Sequence, residues 1–179
     1  MRAGAWLFRH RGWLPVPLLL AMLCAPQRYP AAALVLMAIG ELVRLWAVGH
    51  IGLPSRTRAD GAHRVVQGGP YGLVRNPLYI GNILIFVGLG VLAWPWALIS
   101  GPALALHYHF IVGWEESNLT QKLGAPYTDY CARVGRWVPR AAVLPSGAWN
   151  GREALRSERS TLLVLALILL FAGGRGLLP

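Results

Sequence analysis

Acidic residues are scarce in this sequence. Only 7 of its 179 residues are Asp or Glu, against 17 Lys and Arg, and charged residues of both signs make up 13% of the chain. A composition this thinly charged excludes an ordinary soluble domain of the same size. Cysteine is nearly absent as well. Cys24 and Cys131 fit no metal-ligand spacing and fall on opposite sides of the topology read below, so no disulfide is expected. The chain has no nucleophile elbow, phosphate loop, zinc motif or Gly-x-Gly-x-x-Gly fingerprint. His107 and His109, two apart on a helix, diverge by roughly 200° and cannot share a metal. The other histidines are scattered, so no metal site is expected.

Long apolar runs take the place of these motifs. Hydrophobic residues make up 55% of the chain, and they come in blocks: Leu14 to Cys24, Ala31 to Val48, Leu78 to Trp94, Trp96 to Val112 and Leu162 to Ala172. A helix crosses the hydrocarbon core with roughly 20 residues, fewer when flanking Trp and Arg reach the interface. The expected fold is all-α: one polytopic integral membrane domain over 1–179 with about five transmembrane helices. Its core motif region is 69–140, and an extra C-terminal span covers about 160–174. A removable signal peptide is the rival reading of the first run, since Arg2, Arg9 and Arg11 precede it. No small-x-small cleavage site follows before Pro26, which favours a span.

The excess of positive charge raises nucleic acid as a partner, but its placement argues against that. Fourteen of the 17 Lys and Arg fall before run one, between runs two and three (Arg56, Arg58, Arg64, Arg75), or between Lys122 and Arg159. That alternation is the positive-inside pattern, with the N-terminus cytoplasmic and the basic surface facing anionic lipid.

Runs three and four are joined only by Trp94-Pro95-Trp96, which forces an antiparallel hairpin, with Pro95 breaking the helix. Its open ends are "GPYGLVRNPLYIGN" (69–82) and "WEESNLTQKLGAPYTDYCARVGRWVPR" (114–140), the two most polar stretches of the chain. The hairpin therefore brings them together at the cytoplasmic rim. Leu119 and Leu123, then Tyr127, Tyr130 and Val134, recur at helical spacing around Gly124 and Pro126. Two short interfacial helices are expected there, the first continuing out of run four. Residues 141–160 read as a basic connector.

Each polar residue has a structural reading beside a functional one. Pro77 suits the first turn of a helix and Asn76 its N-cap. Arg75 could bind a headgroup, and Tyr71 and Tyr79 could anchor at the interface. Glu115 and Glu116 point about 100° apart, so they are not expected to share one task. Gly88 and Gly90 either let helices approach closely or clear room for a flat ligand. Glu41 and Arg44, spaced i, i+3 inside run two, form either an ion pair or a functional site.

Taken in order, "GPYGLVRNPLYIG", the hairpin, "EESNL", "GAPYTDY" and "VPR" resemble the membrane methyltransferases of the isoprenylcysteine carboxyl methyltransferase and phosphatidylethanolamine N-methyltransferase superfamily. Asn76 stands where that family usually has His, which preserves hydrogen bonding but not proton carrying. The resemblance implies S-adenosylmethionine bound by Tyr71, Arg75, Asn76, Tyr79, Gly88, Gly90, Glu115, Glu116, Tyr127 and Tyr130. Arg75 would take the cofactor carboxylate and Glu116 a substrate proton, as the catalytic pair. Glu41, Arg44 and Arg140 are assigned to the substrate side. The likeness to bacterial members implies a bacterial inner membrane. The expected activity is methyl transfer to a lipid-like acceptor: a prenylcysteine or polyprenoid carboxylate, an amine headgroup or a thiol. A non-catalytic scaffold binding anionic lipid and a nicotinamide-dependent membrane reductase are the rival classes.

Overall fold

The computed structural model describes residues 2–28, 30–51, 64–140 and 147–176. Arg56 and Arg58, counted in the charge alternation, lie outside it, as does 141–146 of the expected connector. The described residues form seven α-helices: α1 (Arg2–Arg9), α2 (Val16–Cys24), α3 (Ala31–Ile51), α4 (Pro77–Leu92), α5 (Ala97–Leu123), α6 (Ala125–Arg133) and α7 (Gly151–Gly176). A single 3₁₀ turn, Gly69–Gly72, precedes α4. The one extended pairing among the described residues is an isolated parallel bridge between Val74 and Gly135. The all-α expectation holds.

Of the five expected spans, helix length and composition together support one. Among the described residues, one helix, α3, is both long and apolar enough to cross a membrane. At 1.5 Å per residue, the nine residues of α2 reach only about 14 Å, half of a bilayer core. Helix α4 is apolar but has 16 residues. Helices α5 and α7 are long, with 27 and 26 residues, but each carries a polar half. In α5 that half holds Glu115, Glu116 and Lys122. In α7 it holds Arg152, Glu153, Arg156, Glu158 and Arg159, within what reads in sequence as the connector.

The hairpin forms as expected. Helix α4 ends at Leu92, the turn contains a cis Trp94–Pro95 peptide, and α5 starts at Ala97. Around it, α3 crosses α4 at very short range through a pair of glycines. A Cβ on Gly40 would stand 2.7 Å from the Gly81 carbonyl oxygen, and one on Gly81 would stand 2.7 Å from that of Gly40. Only hydrogen fits at such a crossing. Met22, Met37, Ile85, Leu89, Leu92 and Ile168 then close a core shared by α2, α3, α4 and α7. A second cluster sets Leu104, Tyr108 and Ile111 of α5 against Leu7 and Phe8 of α1.

Glycine also makes the bend between α5 and α6. Gly124 has φ +60°, ψ −136°, a conformation that L side chains rarely adopt, and it lets the chain turn sharply before Pro126. Tyr127, Tyr130 and Val134 then fold back as a small cluster with Val65, Leu119 and Leu123.

Gly81→Ala should lower stability by about 1–3 kcal/mol, because the added methyl meets the Gly40 carbonyl as well as the stem of the Arg44 side chain. Thermal unfolding in detergent reads this directly. An unchanged midpoint would refute the close α3–α4 crossing.

Candidate active site

Arg75 precedes α4, and Glu116 lies on α5, 41 residues later. The hairpin places them in direct contact. Arg75 Nε donates to Glu116 Oε1 at 2.9 Å and Nη2 to Oε2 at 3.2 Å, a two-pronged pair. Arg75 Nη1 donates to the carbonyls of Cys131 and Val134 at 3.0 and 2.6 Å. Its own amide donates to the Gly135 carbonyl at 2.8 Å. One guanidinium thus ties the start of α4, the middle of α5 and the end of α6 together.

Glu116 gathers further donors. Arg136 donates to its Oε2 from both Nε (3.0 Å) and Nη2 (2.6 Å), and Asn76 Nδ2 donates to Oε1 at 3.3 Å. Asn76 therefore does not cap the helix as the sequence suggests. It holds the N-cap position, but its side-chain oxygen makes no capping bond: the amide is oriented by its Nδ2, which donates to Glu116 and the Arg136 carbonyl. Pro77 does open the helix as expected. Glu115 faces elsewhere, as the 100° rotation requires, and accepts from the Tyr79 hydroxyl at 2.9 Å. The Tyr79 ring lies 4.7 Å from that of Tyr108.

These contacts give adjacent carboxylates opposite character. Both stand beyond the apolar part of α5. Burial pushes the Glu115 carboxyl above the ordinary carboxylate range, with the Tyr79 hydrogen bond only partly opposing it. Burial also acts upward on Glu116, but hydrogen bonds and charge from Arg75 and Arg136 outweigh it and hold this group below its ordinary value. Burial likewise makes the Tyr127 and Tyr130 hydroxyls hold their protons more tightly.

A cavity of about 580 Å³ opens at this cluster, well within the range of small-molecule sites, ~300–1,000 Å³. Tyr71, Arg75, Asn76 and Tyr79 line it from the first polar stretch, and Glu115, Glu116, Tyr127 and Tyr130 from the second. The Tyr130 hydroxyl donates to the Tyr71 carbonyl at 2.7 Å, locking the 3₁₀ turn to α6. Gly88 and Gly90 do not reach the cavity. A Cβ on Gly88 would meet Met37 and the Ala33 carbonyl, and one on Gly90 would meet Ala97, so both serve close helix approach.

The expected substrate residues separate. Arg44 lines the cavity. Glu41 is its buried i, i+3 partner at 3.2 Å, the ion pair read as one alternative in the sequence. Arg140 is exposed, donates to the Cys131 and Ala132 carbonyls at the C-terminus of α6, and does not line the cavity. Among the cavity and network members that escaped sequence reading are Arg136, Asn82 and Thr161. Asn82 was visible as a lone polar residue inside an apolar run. Arg136 and Thr161 carried no local signal. Among the described residues, no group of three or more His, Cys, Asp and Glu gathers.

The profile of the phospholipid methyltransferase family matches residues 29–125, just over half of the chain. The chain belongs to the phospholipid methyltransferase family. This family member is also similar to three curated proteins. It is 34% identical over 115 residues to steroid 5-alpha-reductase DET2 of Solanum lycopersicum, covering 63% of this chain and 40% of that protein. It is 29% identical over 114 residues (62% and 53%) to the nickel-cobalt-cadmium resistance protein NccN of Alcaligenes xylosoxydans xylosoxydans. To the cobalt-zinc-cadmium resistance protein CzcN of Cupriavidus metallidurans it is 30% identical over 111 residues (60% and 51%). The chain spans about half the length of these relatives, or less. No solved structure matches it.

The two carboxylates predict opposite responses. A lowered folded-state pKa means that Glu116 stabilises the fold above its ordinary value of 4.5 and loses that contribution as pH falls through the folded value. Glu116→Gln should therefore cost about 2–4 kcal/mol at pH 7, a deficit that narrows below pH 4.5. Glu115→Gln should cost nothing at pH 7 and can raise stability, since a raised pKa marks an ionised form the fold disfavours. That advantage should disappear toward pH 4.5, where the unfolded carboxyl protonates too. Equal losses in urea or thermal unfolding at pH 7 would contradict the assignment.

Proposed function

We propose that the protein is an S-adenosylmethionine-dependent membrane methyltransferase acting on a lipid-like acceptor. The observation that carries this reading is the Arg75–Glu116 pair at the mouth of the cavity, formed from two polar clusters that the hairpin alone brings together. Family membership supports it. The finer topology belongs to the same proposal: about five membrane segments, a cytoplasmic N-terminus and rim, and a bacterial inner membrane.

The donor set fits this cofactor, with one change from the sequence reading. Four N–H···O contacts to Glu116, Cys131 and Val134 occupy Arg75, so it holds the rim together rather than reaching for a ligand carboxylate. Arg64, which also lines the cavity, is the guanidinium we assign to that carboxylate. Tyr71, Tyr127 and Tyr130 offer ring faces suited to an adenine or a positive sulfur. Glu116 is committed to two arginines, which leaves Glu115 as the carboxylate for an ammonium or ribose hydroxyl.

S-adenosylmethionine, when bound, supplies a methyl group already activated by positive sulfur. The residues of the chain then have to align the acceptor and exclude water. A carboxylate acceptor needs no base. For an amine or thiol, the Glu115 carboxylate is the better proton acceptor, because burial raises its proton affinity while Arg75 and Arg136 depress that of Glu116. The base role expected of Glu116 passes to its neighbour. Acceptor enters from the bilayer side, along the apolar wall formed by Leu19, Phe86 and Val164.

A reductase is the second reading, favoured by the 34% identity to a protein named steroid 5-alpha-reductase. Purified protein incubated with methyl-labelled S-adenosylmethionine and a total bacterial membrane lipid extract should yield a labelled lipid. Glu115→Gln should raise the cofactor Kd roughly tenfold, the scale of one charge-assisted hydrogen bond. Absence of cofactor binding, together with oxidation of a reduced nicotinamide in the same extract, would replace the first reading by the second.

A further inference from the structure

Ser160, Thr161 and Val164 of α7 line the cavity, on a helix that lies beyond residues 29–125 and so has no counterpart in the family match. Helix α7 does not merely rest on the bundle. Glu158, fully buried, pairs with Arg44 of α3. Arg44 Nε also donates to Glu41 at 3.2 Å, Nη1 to Asn82 Oδ1 of α4, and Nη2 to Thr161 Oγ1 at 3.1 Å. One buried guanidinium thereby joins α3, α4 and α7, and four of its five N–H donors are already used inside the protein. Arg44 is a positioning residue, not a free anion receptor.

What it positions faces the cavity. Arg44, Asn82, Ser160 and Thr161 all line it, between the Glu115–Glu116 rim and the apolar wall of Leu19, Phe86 and Val164. Thr161 accepts a hydrogen bond from Arg44, so its own O–H remains to donate, and the charged donor polarises it. Asn82 in turn lines the cavity together with Tyr108, whose ring packs on Tyr79 beside Glu115. The polar band on α7 is thus continuous with the candidate reaction centre.

We propose that α7 carries the head-group subsite for the methyl acceptor. In it Thr161, assisted by Ser160 and held by the Glu158–Arg44 clasp, donates to a carbonyl, ester or phosphate oxygen of a lipid-like molecule. The hydrocarbon part of that molecule lies along Leu19, Phe86 and Val164. Specificity among acceptors is then set by a helix outside the family-matched region, and cofactor binding is set by the rim. The assignment rests on the methyltransferase reading above.

The test uses the full chain in detergent, a total bacterial membrane lipid extract and methyl-labelled S-adenosylmethionine at saturation. Thr161→Val keeps the β-branched shape and removes the hydroxyl. It should raise the amount of extract needed for half-maximal labelling about 3- to 10-fold, the scale of one lost hydrogen bond, and leave the cofactor Kd unchanged. Thr161→Ser should return the half-saturation point to within about twofold of wild type, since it restores the donor. If Thr161→Val labels the same products at wild-type half-saturation, or loses cofactor binding in equal measure, the α7 assignment is overturned while the methyltransferase reading stands. Wild-type protein that binds the cofactor but labels no lipid overturns the α7 assignment as well. Wild-type protein that binds no S-adenosylmethionine overturns both.

Discussion

The burial of one carboxylate between two guanidiniums is the constraint on which the site depends. Glu116 sits on a long helix that would otherwise be free to slide or rotate against α4, because apolar surfaces in a lipid environment discriminate poorly among registers. Arg75 and Arg136 remove that freedom. Taking these charges out of water costs several kcal/mol per ion, and only a nearly complete set of hydrogen bonds offsets it. The set closes with the start of α4 beside Glu116 and the end of α6 folded back, so that Cys131 and Val134 present their carbonyls to Arg75. The pair is therefore a poor source of net stability but a strong source of specificity, fixing the geometry of the cavity mouth.

A second network repeats this logic deeper in the bundle. Arg44 joins Glu41, Glu158, Asn82 and Thr161, and so specifies how α7 meets α3 and α4. Between the two networks the helices touch through glycine and aliphatic surfaces, which supply contact area without direction. The cavity occupies the space between the two polar anchors. Its polar rim and apolar wall follow from that position, and a bipartite site suits a polar cofactor meeting a lipid-like acceptor.

Several features were legible in the sequence because they depend on local chemistry. Pro95 between two tryptophans can only end one helix and begin another. The polar stretches at 69–82 and 114–140 had to meet once that hairpin was drawn, and Tyr71, Arg75, Asn76, Tyr79, Glu115, Glu116, Tyr127 and Tyr130 do line one cavity. Other readings failed where a local preference met a stronger tertiary partner. Asn76 has every attribute of a cap, yet Glu116 claims its amide. Gly88 and Gly90 suited a flat ligand as well as a helix crossing, and the crossing took them. The number of spans was not legible in the same way, because apolar runs report composition, whereas helix length depends on where turns such as residues 10–15 interrupt the chain.

Composition and order alone determined that this is an all-helical chain with a hairpin at Trp94–Trp96 and its polar groups gathered at the open end, since helix periodicity and proline act within a few residues. Only the tertiary structure decided which carboxylate is spent and which is available. The same two adjacent glutamates differ in proton affinity, one held below its ordinary range and one pushed above it, because Arg75 and Arg136 reach one side of the helix while burial and Tyr79 meet the other. It also decided that α7 belongs to the cavity at all, through an Arg44–Glu158 pair whose members stand 114 residues apart. No window of sequence holds that information, because the energy of a buried charge is set by whatever lies next to it in space.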